Sequence, residues 1–147
     1  MASRWETIGD AIVTSLNAAS LGQTFTSVRA YRPDTDLTAL EAATQASVYV
    51  IPESRESDTV SRTPIQARDY FFSIEIHRFI SDPATIANVD TWMTFAESVE
   101  DHLMGAGNMG AGVWMGSNST PPLEPESLFE EHVFQSTILV QYRVKQG

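Results

Sequence analysis

Two stretches of this chain alternate apolar and polar residues with a period of two, and each is long enough for an extended β-strand. They lie at residues 70–79 and 134–144. Because successive side chains of a strand point to opposite faces of a sheet, each stretch has one apolar face. The apolar faces hold Tyr70, Phe72, Ile74 and Ile76 in the first stretch and Phe134, Ile138, Val140, Tyr142 and Val144 in the second. This pattern is typical of a half-buried antiparallel sheet.

The segment between these two strands predicts one amphipathic helix. Asp82 and Pro83 are favourable residues for a helix start, and apolar residues follow at steps of three and four. The apolar positions are Ile86, Val89, Met93, Ala96, Val99 and Leu103, and the carboxylates Asp90, Glu97, Glu100 and Asp101 lie around the other side. We expect this helix to cover the sheet.

The N-terminal segment predicts a second amphipathic helix. Ser3 and Glu6 have the spacing of a capping box, which marks a helix start. Apolar residues then recur at helical spacing until Gly22 ends the pattern. They are Trp5, Ile8, Ile12, Val13 and Leu16. A stripe this regular favours packing against the core over an exposed docking patch.

Two further strands follow the first helix. Residues 24–31 and 47–52 are rich in β-branched and aromatic residues, and residues 36–43 between them predict a short helix. Pro52 has no backbone N–H to donate, so it ends the second of these strands or marks a sheet edge.

Two other segments are too polar or too rich in glycine to pack in the core. Residues 53–69, the polar arm, interleave charged residues with serine and threonine. An arm that becomes ordered on a neighbouring molecule and a disordered loop both fit this composition. Residues 105–122 form a glycine-rich loop in which residues 113–115 are a candidate short strand, and residues 125–131 predict a short helix before the last strand.

These elements predict a single α+β domain that spans residues 1–147. Its sheet is antiparallel or mixed with about four strands, and the long amphipathic helix and the N-terminal helix pack on it. With 147 residues, of which 42% are hydrophobic, the chain is long enough to bury about 70% of its unfolded surface. It contains no cysteine, which excludes disulfides, thiolate nucleophiles and cysteine-ligated metal sites.

The net charge of −10 comes from 19 carboxylates and nine basic residues, of which Lys145 is the only lysine. Such a surface repels phosphate backbones, so direct nucleic-acid binding is disfavoured. Ordinary solubility and a surface past which DNA slides without sticking both explain the charge. The chain has no run of about 18 apolar residues and no signal-peptide pattern. We expect no membrane association and a protein that is soluble and intracellular when made.

The sequence contains no recognisable catalytic or cofactor motif. The glycine-rich run at Gly105 follows a helix, whereas a phosphate-binding loop follows a strand and opens a helix. The histidines, His77, His102 and His132, have no metal-ligand spacing. The adjacent carboxylates at 130–131 diverge on a helix and cannot share one substrate. We therefore predict no enzyme activity, no catalytic residue, no metal and no cofactor.

Taken in order, the chain has several characteristic pieces. They are the short N-terminal helix, the strand ending in Tyr31-Arg32-Pro33 with Asp36-Leu37 after it, the strand Val48-Tyr49-Val50-Ile51-Pro52, the polar hairpin loop, the aromatic strand Tyr70-Phe71-Phe72-Ser73-Ile74-Glu75-Ile76, the covering helix, and the closing segment Leu128-Phe129-Glu130-Glu131-His132-Val133-Phe134-Gln135-Ser136. This order resembles that of the tail terminator and tail-completion proteins of long-tailed bacteriophages, also called neck or head–tail joining proteins. The resemblance covers nearly the whole chain.

The resemblance implies a structural virion protein rather than an enzyme. Proteins of that family look like small α+β subunits that form a hexameric ring on the last ring of the tail tube, stop its growth and offer a surface to the head. The implied partners are further copies of the chain, the tail tube protein and the head–tail connector or head-closure protein. The implied location is the neck of a virion assembled in the host cytoplasm, with DNA passing through an acidic lumen without specific binding.

The resemblance also gives the polar arm a role. The arm would reach an adjacent subunit and pair Arg55 or Arg62 with its carboxylates. The implied interface residues are Arg55, Glu56, Asp58, Arg62 and Arg68. A head-closure protein or another neck adaptor ring has the same outline and stays an alternative.

A small-ligand-binding domain or enzyme is the alternative from a different class. It requires Trp92, Trp114, Tyr31 and His102 to converge on one pocket. Aromatic residues are more often part of a core than of a binding site, so this alternative is the weaker one.

Overall fold

The computed structural model describes residues 3–33, 37–59, 66–119 and 123–146, without the side chains of residues 37, 38, 41, 55–59, 66 and 146. The elements in chain order are α1 (Arg4–Ala18), β1 (Phe25–Arg29), α2 (Leu37–Ala42), β2 (Ala46–Thr59), β3 (Gln66–Phe79), α3 (Ile86–Ala106), β4 (Val113–Asn118), α4 (Pro125–Glu131) and β5 (Val133–Gln146).

Within the described residues, five strands form one mixed sheet in the order β1-β2-β3-β5-β4. β1 and β2 run parallel with α2 between them in the chain, and the other neighbouring pairs are antiparallel. The predicted α+β class and mixed sheet are therefore confirmed. The sheet has one strand more than the count of about four, because the candidate short strand at residues 113–115 belongs to β4.

The predicted alternation of the two long strands, β3 and β5, is confirmed by burial. All nine apolar residues assigned to the inner faces are at most 4% exposed. Helix α1 contacts β1 and β2, and α3 contacts β4 and β5, so the two helices lie side by side over this face. Trp5 of α1 packs edge-on against Tyr70 and Phe72, with ring centres 4.9 and 5.2 Å apart. The two strands and two helices thus enclose one core.

The start of α1 is the capping box that the sequence predicts. The Glu6 amide donates to Ser3 Oγ at 3.2 Å, and the Ser3 amide donates to Glu6 Oε2 at 2.7 Å. Ile8, Ile12 and Leu16 follow on the buried side of the helix, with no exposed surface. Two backbone donors that a helix start leaves unpaired are thereby satisfied.

Helix α3 begins later than Asp82 and Pro83 indicate. Thr85 Oγ1 donates to Asp82 Oδ2 at 2.6 Å, and this local bond holds residues 82–85 as a turn before the helix starts at Ile86. The prediction that Ile86 belongs to the buried stripe is wrong, because its side chain is 74% exposed. Phe95, which the stripe omitted, is 1% exposed and contacts Phe25 across the core.

Strand β2 continues through Pro52 rather than ending there. Its pairing with β3 shifts register between Pro52 and Ser54 and then resumes as far as Thr59. Pairing with β1 ends at Val50, so within the described residues β2 is an edge strand from Ile51 onward. Proline at this point removes no ladder hydrogen bond on the free side, which explains why the strand tolerates it.

The polar arm is paired β-structure over its described residues, 53–59 and 66–69. Strand β5 also pairs with β3 along its whole length, from Phe79 opposite Val133 to Gln66 opposite Gln146. A third strand, β5, therefore pairs with the β3 part of the arm, and the sequence analysis does not predict this pairing.

The glycine-rich segment is more ordered than a loop over residues 105–122. Helix α3 runs to Ala106, and β4 begins at Val113, so the irregular part before β4 is residues 107–112. Residues 120–122 of the predicted loop lie outside the described residues. Gly112 packs tightly: a Cβ there would lie 2.9 Å from the Cβ of Tyr142 and 3.2 Å from Ile8 Cδ1. Glycine is thus needed at this position so that the turn can contact the core.

Candidate interaction surfaces

Positive and negative charges are unevenly distributed along the chain. Residues 79–142 carry nine carboxylates and neither arginine nor lysine. The remainder carries all nine basic residues and ten carboxylates, so the net charges of the two parts are −9 and −1. Residues 79–142 form α3, β4, α4 and most of β5. Helix α3 contacts β4 and β5, so much of this acidic part lies at the β4 end of the sheet, bordered by Arg78 against Trp92 and by Arg143 opposite Val113.

An open groove of about 550 Å³ runs along α3 on this acidic side. Met93 and Ile138 supply apolar surface to it. Ser117 of β4 donates a hydrogen bond to the Glu100 carboxylate, which ties the strand to the helix. The carboxylates that line the groove are Asp90, Glu97, Glu100 and Asp101. No basic side chain lies among the lining residues, so this surface has a strong negative potential.

Strand β4 is the outer strand at this end of the sheet and, within the described residues, pairs only with β5. Val113 and Met115 keep 50% and 43% of their surface exposed. The strand sequence, VWMGSN, contains neither a charged residue nor a proline. Natural proteins commonly use such residues to prevent a sheet edge from pairing with another chain. This edge lacks that protection.

An ion pair links β3 and β5 within the arm. Asp69 and Arg143 lie directly opposite each other, and Arg143 donates from Nε and Nη2 to the two carboxylate oxygens at 2.8 and 3.0 Å. The hydrogen bonds from Arg143 lower the pKa of Asp69 from its ordinary value, although burial opposes this shift. The pair therefore helps to fix the register of these two strands.

The structure describes the predicted interface residues only in part. Arg55, Glu56 and Asp58 lie in β2, but their side chains are outside the described residues, as is the whole of Arg62. Arg68 lies in β3, is partly buried, and its Nε has no hydrogen-bond partner within the described part of the chain. The role of these five residues in an interface stays a prediction.

The sequence analysis missed two basic residues that join the arm. Arg143 and Lys145 stand in β5 opposite Asp69 and Ala67 of β3. The only available signal was the alternation of residues 134–144, which identifies β5 as a strand but not which strand it pairs with. With them, the arm and the end of β5 hold five of the nine basic residues.

The four residues that a ligand pocket would need do not meet. Trp92 packs against Phe95, and Trp114 against Tyr142. His102 Nε2 lies 2.9 Å from Ser15 Oγ at the contact between α1 and α3. Tyr31 is 73% exposed and accepts a hydrogen bond from Arg29. None of the four lines the groove along α3.

A small polar cluster lies on the sheet face opposite the core. His77 is 4% exposed, and its Nε2 lies 3.5 Å from Glu75 Oε1. Gln135 donates to the same Glu75 oxygen at 3.4 Å, and Tyr49 packs edge-on against the His77 ring. His77 Nε2 has no hydrogen-bond partner among the described residues. The cluster joins β2, β3 and β5.

In the described parts of the chain, no three histidine, aspartate or glutamate residues are grouped so that they could hold a metal ion. No described helix is both long and apolar enough to cross a bilayer.

Comparison with known proteins gives a match of structure but not of sequence. No protein-family model matches the chain, and no curated protein matches it. A chain of a solved structure entitled "Virion of native gene transfer agent (GTA) particle" is similar to it, with a TM-score of 0.57 and 16% sequence identity. The similarity covers 99% of this chain and 100% of that chain. At this identity the match shows a shared fold.

Proposed function

We propose that this chain is a tail terminator, a structural virion protein that caps the tail tube as a ring and provides a surface for joining the head. The observation that carries the proposal is the structural likeness to a chain of a gene transfer agent virion over the full length of both chains. A likeness of this extent supports a subunit of the same kind rather than a shared fragment. The order of elements, which resembles that of phage tail terminators, points the same way.

The charge distribution supports a ring of identical subunits. A ring closes through a head-to-tail interface, in which each subunit uses two different and complementary surfaces. This chain has a strongly acidic part, residues 79–142, and a nearly neutral remainder that holds all the basic residues. Opposite charge across an interface speeds encounter and disfavours wrong partners. We propose a hexamer, in which the acidic side of one copy meets the arm side of the next.

The polar arm is the proposed contact from one copy to the next, with Arg55, Glu56, Asp58, Arg62 and Arg68 as its charged residues. The paired strands of the arm and the Asp69–Arg143 ion pair give it a defined shape. Each exposed ion pair in such a contact contributes at most about 1 kcal/mol. A set of pairs repeated around the ring adds up, and the shape of the arm supplies the specificity.

The overall charge of −10 fits a lumen through which DNA passes. Carboxylates facing a phosphate backbone repel it, so DNA would move without specific binding. The proposed partners at the two ring faces are the tail tube protein and the head–tail connector or head-closure protein. The proposal involves no catalytic step and no cofactor.

Electron microscopy of tails made with and without this protein tests the proposal. If the protein stops tube growth, its absence gives overlong or ragged tubes. Tubes of normal length that fail only to join heads would contradict the terminator and support a head-closure or other neck adaptor ring. Normal, head-bearing particles would contradict both functions.

A further inference from the structure

We propose that β4 of one copy pairs with the free edge of β2 from the neighbouring copy, so that the β-sheet continues from subunit to subunit around the ring. This inference rests on the proposed ring and specifies which strands form its interface. The occupant of the β4 edge is therefore a second copy of this chain.

The first argument comes from the β4 edge itself. Its outer side is unpaired within the described residues, and Val113 and Met115 are about half exposed. An extended chain that pairs with an open edge gains a ladder of backbone hydrogen bonds and covers such apolar side chains. VWMGSN contains no charged residue and no proline to oppose pairing, although its own pairing with β5 shifts register between Trp114 and Gly116.

The second argument comes from β2, which offers a complementary edge on the opposite side of the molecule. Beyond Val50 it has no partner on the β1 side among the described residues, although it stays paired with β3 as far as Thr59. The free run, residues 51–59, is longer than β4. Because β4 and the part of β2 beyond Val50 are different strands on opposite edges of the sheet, their pairing is head-to-tail and can close a ring.

Repulsion between like charges favours the β2 edge of the neighbouring copy, rather than its β4 edge, as the partner of β4. Two β4 edges brought together would place two acidic sides against each other, since residues 79–142 have a net charge of −9. The arm, residues 53–69, holds four carboxylates and three arginines, so it brings far less negative charge to the interface than a second β4 side would. Like charges across an interface are strongly unfavourable, so the arm is the better match.

Engineered cysteines test the pairing directly, because the chain contains no cysteine of its own. One cysteine replaces Met115, and a second is placed in turn at each of positions 53–58, which covers the possible registers. A mild oxidant then joins two thiols only where their Cα atoms come within about 7 Å. In the matched control series, Ile86→Cys replaces Met115→Cys, because Ile86 is also apolar and even more exposed.

We expect at least one arm position to give a ladder of cross-linked multimers with Met115→Cys and none to do so with Ile86→Cys. Light scattering on the same samples tests the proposed ring separately from the proposed β2–β4 pairing. Oligomers that form without cross-links at any arm position would overturn the β2–β4 pairing and leave the ring intact. Samples that stay monomeric and without cross-links at every concentration, combined with normal tails in the protein's absence, would overturn the ring as well.

Discussion

Asp69 and Arg143 are 74 residues apart in the chain and form a two-pronged ion pair across β3 and β5. The Asp69 side chain is 9% exposed and the Arg143 side chain 27%. The pair stands where the sheet leaves the helix-covered core and enters the polar arm. It therefore holds the C-terminal strand against the arm, which the proposed interface depends on.

Replacing one partner of this ion pair should lower the free energy of unfolding more than replacing both partners. Arg143→Met leaves a nearly buried carboxylate without its main partner, so we expect a loss of about 1–3 kcal/mol in the free energy of unfolding. The double variant Asp69→Asn/Arg143→Met should lose less, because no charge is then left unpaired. Urea unfolding measures both. If the double variant lost as much as Arg143→Met and Asp69→Asn added together, the pair would not be coupled.

The pair also predicts how stability depends on pH. Arg143 lowers the pKa of folded Asp69, so the folded state favours the ionised carboxylate more than the unfolded state does. This contribution is fully present above the ordinary aspartate pKa of about 4 and is lost as the pH falls through the lower pKa of the folded protein. Compared with Asp69→Asn, the wild type should lose additional stability in that range. Parallel stability curves from neutral to low pH would contradict this.

Substitutions in the core of β3 should destabilise the subunit itself. Phe72 and Ile74 have no exposed surface, and we expect Phe72→Ala or Ile74→Ala to lower the free energy of unfolding by about 2–5 kcal/mol. Phe71→Ala, on the other face of the same strand and only partly buried, is the control and should cost less. Thermal and urea unfolding distinguish them. Wild-type stability in the first two variants would refute the assigned core face.

Charge reversal in the arm should weaken association without unfolding the subunit. Arg55→Glu/Arg62→Glu turns attraction to the acidic side of the next copy into repulsion, whereas the arm contributes little to the core. The matched control, Arg55→Lys/Arg62→Lys, keeps the charge and should keep assembly. Light scattering reports the oligomer and circular dichroism the fold. Normal assembly of the charge-reversed variant would show that the arm is not part of the interface.

A charge on the β4 edge should also block assembly. Met115→Asp places a carboxylate in an uncharged edge strand, where pairing with another chain would bury it, and the 43% exposure of Met115 allows the substitution in the folded monomer. Ile86→Asp adds the same charge at an exposed apolar site away from β4 and should leave assembly unchanged. Equal effects of the two variants on oligomer formation would indicate a general charge effect instead of a contact at β4.

Local patterns predicted the core elements well, and non-local pairing limited the rest. The capping box of Ser3 and Glu6 and the alternation of β3 and β5 depend on near neighbours, so the sequence displays them. The continuation of β2 beyond Pro52 does not follow from local sequence, because its charged residues have the composition of a loop. Their strand conformation depends on β3, which in turn pairs with β5.

The candidate surfaces were less accessible to sequence reasoning. The polar arm is visible as composition, but Arg143 enters it only through the β3–β5 register. The exposed side of β4 depends on strand order, which six residues containing a glycine do not reveal. Ile86 shows the reverse case, in which a regular apolar spacing extends one turn beyond the part of the helix that contacts the core.

Cryo-electron microscopy of the junction between head and tail in intact particles tests the central claim most directly. We predict one ring of six copies seated on the last ring of the tail tube, with β4 of each copy beside β2 of the next. Finding the protein elsewhere in the particle, or at the junction but without contact to the tube, would contradict its assignment as a tail terminator.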